Sequence, residues 1–222
     1  MFRSTIAQKL VMAVTGTALL IFVIAHAVGN LQIFIGKDLL NSYAAFLQGT
    51  PQILWPARIG LLLVFIVHIF TAFQLKKQNR AARPKKYKVV SNEQASLASR
   101  YMFESGLVIL IFVIVHILRL TMGILQPENF HLIDDQGRHD VYSILILGFQ
   151  NHYYSLGYII CMLFLGAHLS HAISSVLQTV GFHHFKSLTR SQIQSVGSLI
   201  GWAIALLYIL IPFSVLTGIL SI

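Results

Sequence analysis

Residues 10–29 read LVMAVTGTALLIFVIAHAVG, twenty residues with no charge and a single histidine, His26, near the end. At about 1.5 Å per residue such a stretch covers the roughly 30 Å hydrocarbon layer of a bilayer. It is expected to stay in the mature chain, because no small-residue cleavage site is evident and the segment already carries His26, with Asn30 just beyond. An ionisable ring inside lipid is costly and marks function.

The same pattern recurs outward from this stretch. Residues 58–75 carry His68; residues 101–125 carry His116 and stop before Pro127; residues 153–177 carry His168 and His171. Residues 196–220 have neither histidine nor charge and are expected to bend at Pro212. Of 222 residues, 56% are hydrophobic and 10% charged, where soluble chains are nearer a quarter charged. The expected fold class is an all-α integral membrane protein. One membrane domain, residues 1–222, would hold five transmembrane helices in a bundle. The chain reads as having no internal repeat. Its one cysteine, Cys161, excludes a disulfide framework and a CxxCH site for covalent haem.

The connections differ in charge. Residues 30–57 contain LNSYAAFLQGTP, a short interfacial helix ended by Gly49 and Pro51, with Trp55 as an interface anchor. The next connection sets Lys76, Lys77, Arg80, Arg83, Lys85, Lys86, Lys88 and Arg100 against Glu93 alone. Between two spans such a block reads as a cytoplasmic loop and not as a nucleic-acid site. The third sets Glu128, Asp134, Asp135 and Asp140 against Arg138. Its apolar end, residues 141–151, is expected to be re-entrant or to lie on the surface. The fourth holds Gly181, His183, His184, Lys186 and Arg190. With five spans, the face bearing the N-terminus collects 12 of the 16 lysines and arginines. This places the N-terminus in the cytoplasm and the C-terminus outside.

On that topology His26 and His116 each lie roughly 25 Å from the cytoplasmic boundary, whereas His68 lies roughly 12 Å from it. His168 and His171 share the inner half of their span. The expected pairs are His26 with His116, and His68 with His168 or His171. Imidazole is a common protein ligand of haem iron. Two pairs at two depths would give each of two haems both axial ligands, leaving no open position for oxygen. The competing reading is a transporter or proton relay without haem. It lacks a buried carboxylate, since the only acid in a span, Glu104, is near the inner interface. Ala13, Gly16, Ala72, Gly106, Gly157, Gly166 and Ala167 leave room for a flat ring or for close helix contact. Asn30, Gln32, Asp38, Asn41 and Tyr43 form a polar group beyond the first span, a candidate quinone site at the outer surface.

Several blocks together resemble a known family: KxxMAVTG before His26, HAVGNLQIF, NSYAAFLQ, WPARIGLLLVFIVH, DVYSILILGFQN and HLSHAISSVLQTVGF. The chain is similar, over most of its length, to the cytochrome b subunit of succinate dehydrogenase/fumarate reductase, of the five-span di-haem type. The resemblance implies two haem b groups, a distal one on His26 and His116 and a proximal one on His68 and His168. His168 is preferred there by its spacing to Gly181, with His171, Ser4 and Gln8 as cofactor neighbours. It also implies iron–sulfur and FAD-containing subunits on the cytoplasmic side, membrane quinone (menaquinone or ubiquinone) as substrate, phospholipid contacts and possible pairing of complexes. The setting is then the respiratory chain and tricarboxylic acid cycle of a bacterial inner membrane. Succinate chemistry would belong to the partners, because this chain has no glycine-rich flavin loop and no cysteine cluster. Gly166 stands where some fumarate-reducing relatives carry a glutamate, which favours succinate oxidation.

Overall fold

The computed structural model describes residues 4–82, 97–179, 181 and 189–222. Arg83, Lys85, Lys86, Lys88, Glu93, His183, His184 and Lys186 lie outside the described residues.

Among the described residues five helices are long and apolar enough to cross a membrane. The first, α1 (Thr5–Leu31), runs into a 3-10 turn at Gln32–Phe34. Gly36, at φ 142°, turns the chain into α2 (Lys37–Gln48), which stops at Gly49. The second long helix, α3 (Pro51–Ala81), begins seven residues before the expected Arg58. Pro51 takes the first helical position, where its missing N–H costs nothing. Pro56 then removes one hydrogen bond without ending the helix. After α4 (Leu97–Arg100) comes α5 (Met102–His116), continued by a π-turn, Ile117–Thr121. This span ends earlier than the sequence suggested, because Pro127 starts a separate turn, α6 (Pro127–Phe130). Helix α7 (Val141–Gln150) is capped by Asp140, whose carboxylate accepts the Ser143 N–H at 3.1 Å. The last two are α8 (His152–Thr179) and α9 (Arg190–Leu216). The Thr189–Gln192 capping box starts α9, and Gly218 at φ 75° follows its end.

Side-chain pairs fix the register. Lys76 meets Glu104 at 2.9 Å and Phe73 meets Phe103, so the C-terminal part of α3 lies beside the start of α5. Ser105 with His168, and His116 with Tyr158, set α5 against α8. Antiparallel α8 and α9 pack through small residues: Gly197 and Gly201 lie directly against Ser174 and Ser170. This small-residue spacing of four is a membrane helix-packing device. Gly166 belongs to the same seam, facing Trp202 and Ala205, and serves helix packing.

Helix α7, expected to be re-entrant or to lie on the surface, is largely buried against the rest of the protein. It packs on α2, α8 and α9, closing one end of the bundle. Ile146 and Phe149 join Ile33, Leu40, Ile211 and Val215 in the main apolar cluster there. That end is called the cap end below, and the end holding the start of α1 the open end. Polar groups tie the cap. Asn41, fully buried, donates to Asp134 at 3.1 Å and Asp140 at 2.9 Å and accepts the Tyr142 N–H at 3.0 Å. Lys37 pairs with Asp140 at 2.9 Å, and Arg138 with Asp134 and Asp38. The Arg138 hydrogen bond, helped by Asn41 and two backbone N–H groups, holds the Asp134 carboxyl far below the usual range. Burial pushes the Asp140 carboxyl up, but Lys37, Asn41 and Ser143 outweigh it and bring it to about 2.

Candidate functional site

The four histidines occupy two levels. His26 and His116 stand at one level, toward the cap, with ring centroids 5.9 Å apart and planes at 85°. His68 lies against Thr15 and Gly16 of α1, and His168 against Ser105 and Gly106 of α5. Thr15 is eleven positions before His26, and Ser105 eleven before His116. Because α1 and α5 run parallel with His26 beside His116, His68 and His168 share a second level. It lies roughly 16 Å nearer the open end at 1.5 Å per residue.

This geometry exposes an internal repeat, correcting the reading that the chain has none. Residues 15–26, TGTALLIFVIAH, and 105–116, SGLVILIFVIVH, are identical at seven of twelve positions. The match extends to contacts: Phe22 lies against His26 at 5.4 Å and Phe112 against His116 at 5.6 Å. The hydroxyl at the start of each copy supports the histidine of the following long helix. The order α1–α2–α3 is thus repeated by α5–α7–α8, span, cap helix, span. The signal was present in the sequence, but its meaning depends on which helices pair.

Hydrogen bonding sets the tautomers of the second level. A hydroxyl has one proton to donate and two lone pairs to accept with. Thr15 donates to the Val11 carbonyl at 2.7 Å, so at 3.1 Å its oxygen accepts from His68 Nδ1–H. Ser105 donates to the Met102 carbonyl at 3.0 Å and accepts from His168 Nδ1–H at 3.1 Å. In both rings Nε2 is left with a bare lone pair, the atom that ligates metal. Such outer partners fix ring orientation and tautomer at metal sites. Tyr158, missed from the sequence, bonds His116 Nδ1 at 2.6 Å. His171, one turn from His168, is half-buried. It is His168 that the Ser105 hydroxyl engages.

Two imidazoles on opposite sides of one metal ion, with bonds of about 2 Å, hold their centroids on the order of 6 Å apart. The spacing of His26 and His116 fits that value. Among the described residues no group of three or more His, Cys, Asp or Glu could hold an ion. A two-imidazole donor set suits a metal whose remaining ligands come from a macrocycle.

The five residues proposed for quinone do not converge. Asn30 donates back to the His26 carbonyl at 2.7 Å, and Asn41 is committed to the cap. Tyr43 packs on Gly29, and Gln32 sits in the 3-10 turn. Asp38 pairs with Arg138 and Gln136 and not with the adjacent Lys37, which reaches Asp140. None of the five lines either of two cavities. The larger, about 610 Å³, lies at the cap end among Gln48, Trp55, Arg58, Phe130, His131 and His139. At the open end Ser4 caps α1 and is exposed, while Gln8 is buried.

The class this defines is a polytopic helical membrane protein with span histidines at two levels, His26 beside His116 at one and His68 and His168 at the other. No protein-family model, curated protein or solved structure matches the chain.

Proposed function

We propose that this chain is a di-haem cytochrome b, the membrane anchor of a succinate:quinone oxidoreductase. The observation that carries the haem reading is the His26–His116 ring pair, with His68 and His168 at a second level, each held at Nδ1 by a hydroxyl of the neighbouring span. Haem bound by these histidines would supply one-electron transfer. The chain's residues bind and orient. His26 with His116 would hold one haem, and His68 with His168 the other. Thr15 and Ser105 hold ring planes and tautomers, and Phe22 and Phe112 pack beside the rings at the cap-end level. Two levels roughly 16 Å apart along the bundle suit electron passage between the two membrane faces.

The open end, with its basic connection, is the cytoplasmic side in this reading and receives the iron–sulfur and FAD-containing subunits. Quinone exchanges electrons at the cap end, in the cavity where Trp55 and Phe130 offer ring faces and Arg58, His131 and His139 offer polar contacts. The assignment to this complex rests on the sequence blocks that resemble the family. Among the described residues the proton-relay alternative has no buried acid within a span, because Glu104 is half-exposed and tied to Lys76 and the buried Asp134 and Asp140 belong to the cap.

A reduced spectrum of the purified chain is expected to show b-type bands, with two haems per chain by pyridine haemochrome. His168→Ala should remove one haem and His171→Ala neither. A spectrum without haem bands rejects the cytochrome, and two haems retained in His168→Ala reject the ligand set. In native membranes, succinate should reduce the His68–His168 haem when quinone exchange is blocked. Failure there, with both haems present, rejects the succinate-linked assignment alone.

A further inference from the structure

A cation buried in a membrane bundle needs a partner for its charge, and Arg119 is such a cation. It is 7% exposed and belongs to the π-turn that follows His116, one turn from that ring. Its guanidinium stacks on Tyr154 at 3.3 Å and hydrogen-bonds the Gln126 side-chain carbonyl. Both groups are neutral. Among the described residues no carboxylate pairs with it: Asp38, Asp134 and Asp140 are taken by Arg138 and Lys37, Glu104 lies at the other end of the bundle with Lys76, and Glu128 and Asp135 make no ion pair. An unpaired buried charge is strongly unfavourable.

The repeat sharpens the point. The position three residues after the histidine is Gly29 in the first copy and Arg119 in the second. The span–cap–span scaffold therefore does not require arginine there. The cap helix makes space for it, since a Cβ on Gly148 would overlap the guanidinium. π-Turns concentrate at functional sites, and this one carries the charge to the His26–His116 level.

We infer that Arg119 binds a carboxylate of the ligand held between His26 and His116, a propionate of that haem. The planar guanidinium matches a carboxylate with two parallel hydrogen bonds. The inference rests on the haem reading above. A positive charge at that distance disfavours the ferric state, so its removal lowers the potential of this haem and leaves the His68–His168 haem unchanged.

The test is redox titration of the purified full chain as wild type, Arg119→Gln and Arg119→Lys. Arg119→Gln is expected to shift the ferric–ferrous equilibrium of the His26–His116 haem at least tenfold toward ferric, 59 mV for one electron. Arg119→Lys should keep most of the wild-type value. A second arm reconstitutes apo-protein with iron protoporphyrin or its dimethyl ester. Esterification should weaken binding at this level in wild type but not in Arg119→Gln, which separates a propionate from a lipid phosphate as the anion. Selective loss of this haem in Arg119→Gln, restored by Arg119→Lys, also supports the inference. Unchanged potential in Arg119→Gln overturns it. So does equal loss of this haem in both variants, or equal sensitivity to esterification in wild type and Arg119→Gln. Wild-type protein without haem would instead reject the cytochrome itself, a failure separable from all of these.

Discussion

Thr15→Val tests the tautomer argument most directly, since valine nearly matches threonine in shape and removes only the hydroxyl. In the native chain that oxygen accepts from His68 Nδ1–H at 3.1 Å while donating to Val11. Valine leaves the ring N–H without its acceptor in a region where water does not replace it. An unsatisfied buried donor costs about 1–3 kcal/mol. Every 1.4 kcal/mol is tenfold in an equilibrium, so the expected loss is roughly 5- to 150-fold. This overlaps the 10- to 100-fold typical when an outer partner of a metal-bound histidine is removed. Two measurements check it. Nitrogen-15 spectra of histidine-labelled apo-protein should show His68 protonated at Nδ1 in wild type and as a tautomer mixture in the variant. Haem retention during dilution should fall at the His68 level, and Ser105→Ala should do the same through His168. If His68 is already protonated at Nε2 in wild type, or if Thr15→Val binds haem as tightly, the hydroxyl does not set the ligand.

Gly201→Ala would place a Cβ 2.5 Å from the Ser170 backbone nitrogen and 2.9 Å from its Cα. Backbone cannot yield as a side-chain tip does, so α9 must retreat, at about 1–3 kcal/mol by thermal or denaturant unfolding. Gly157→Ala, with nothing within 4 Å, should be neutral in the same assay; equal losses in the two would discredit the seam. Asn41→Ala removes hydrogen bonds to two carboxylates and to the Tyr142 N–H. With bonds to charged groups at about 1.5–3 kcal/mol each, the cap should become protease-sensitive near residues 131–141 while α8 and α9 remain packed. Acid should act on the same cap. Asp134 and Asp140 have depressed folded pKa values, so their stabilisation is full above the unfolded value of about 3.9. It is lost as pH falls toward about 2, where Asp140 protonates. Protease sensitivity of the cap that instead rose between pH 7 and 5 would contradict this.

Composition and periodicity alone determined the membrane class. Long apolar runs bounded by charge can satisfy backbone groups in lipid only as helices. The histidines were equally legible, because a lone imidazole stands out against Leu, Ile and Val. So were their two depths, since rise per residue is constant along a helix. Boundaries were less legible. The second span read as starting at Arg58 and the third as running to Leu125, yet α3 starts at Pro51 and carries Pro56 within its second turn, and the apolar run before Pro127 leaves the helix after Thr121. The repeat of residues 15–26 in 105–116 was written in the sequence, but apolar residues are so frequent in spans that similarity there carries little weight until contacts match. What only the tertiary structure decided are pairings between side chains far apart in the chain: Thr15 with His68, Ser105 with His168, Tyr158 with His116, and Asn41 with Asp134 and Asp140. Local pattern places each of these residues on a helix or in a loop. Which ones meet depends on the register of packed helices, and that is fixed by close contacts such as Gly201 on Ser170. The same reason separates Asp38 from Lys37. Adjacent in sequence, they do not pair with each other, because the fold of the cap carries Arg138 to Asp38 and Lys37 to Asp140.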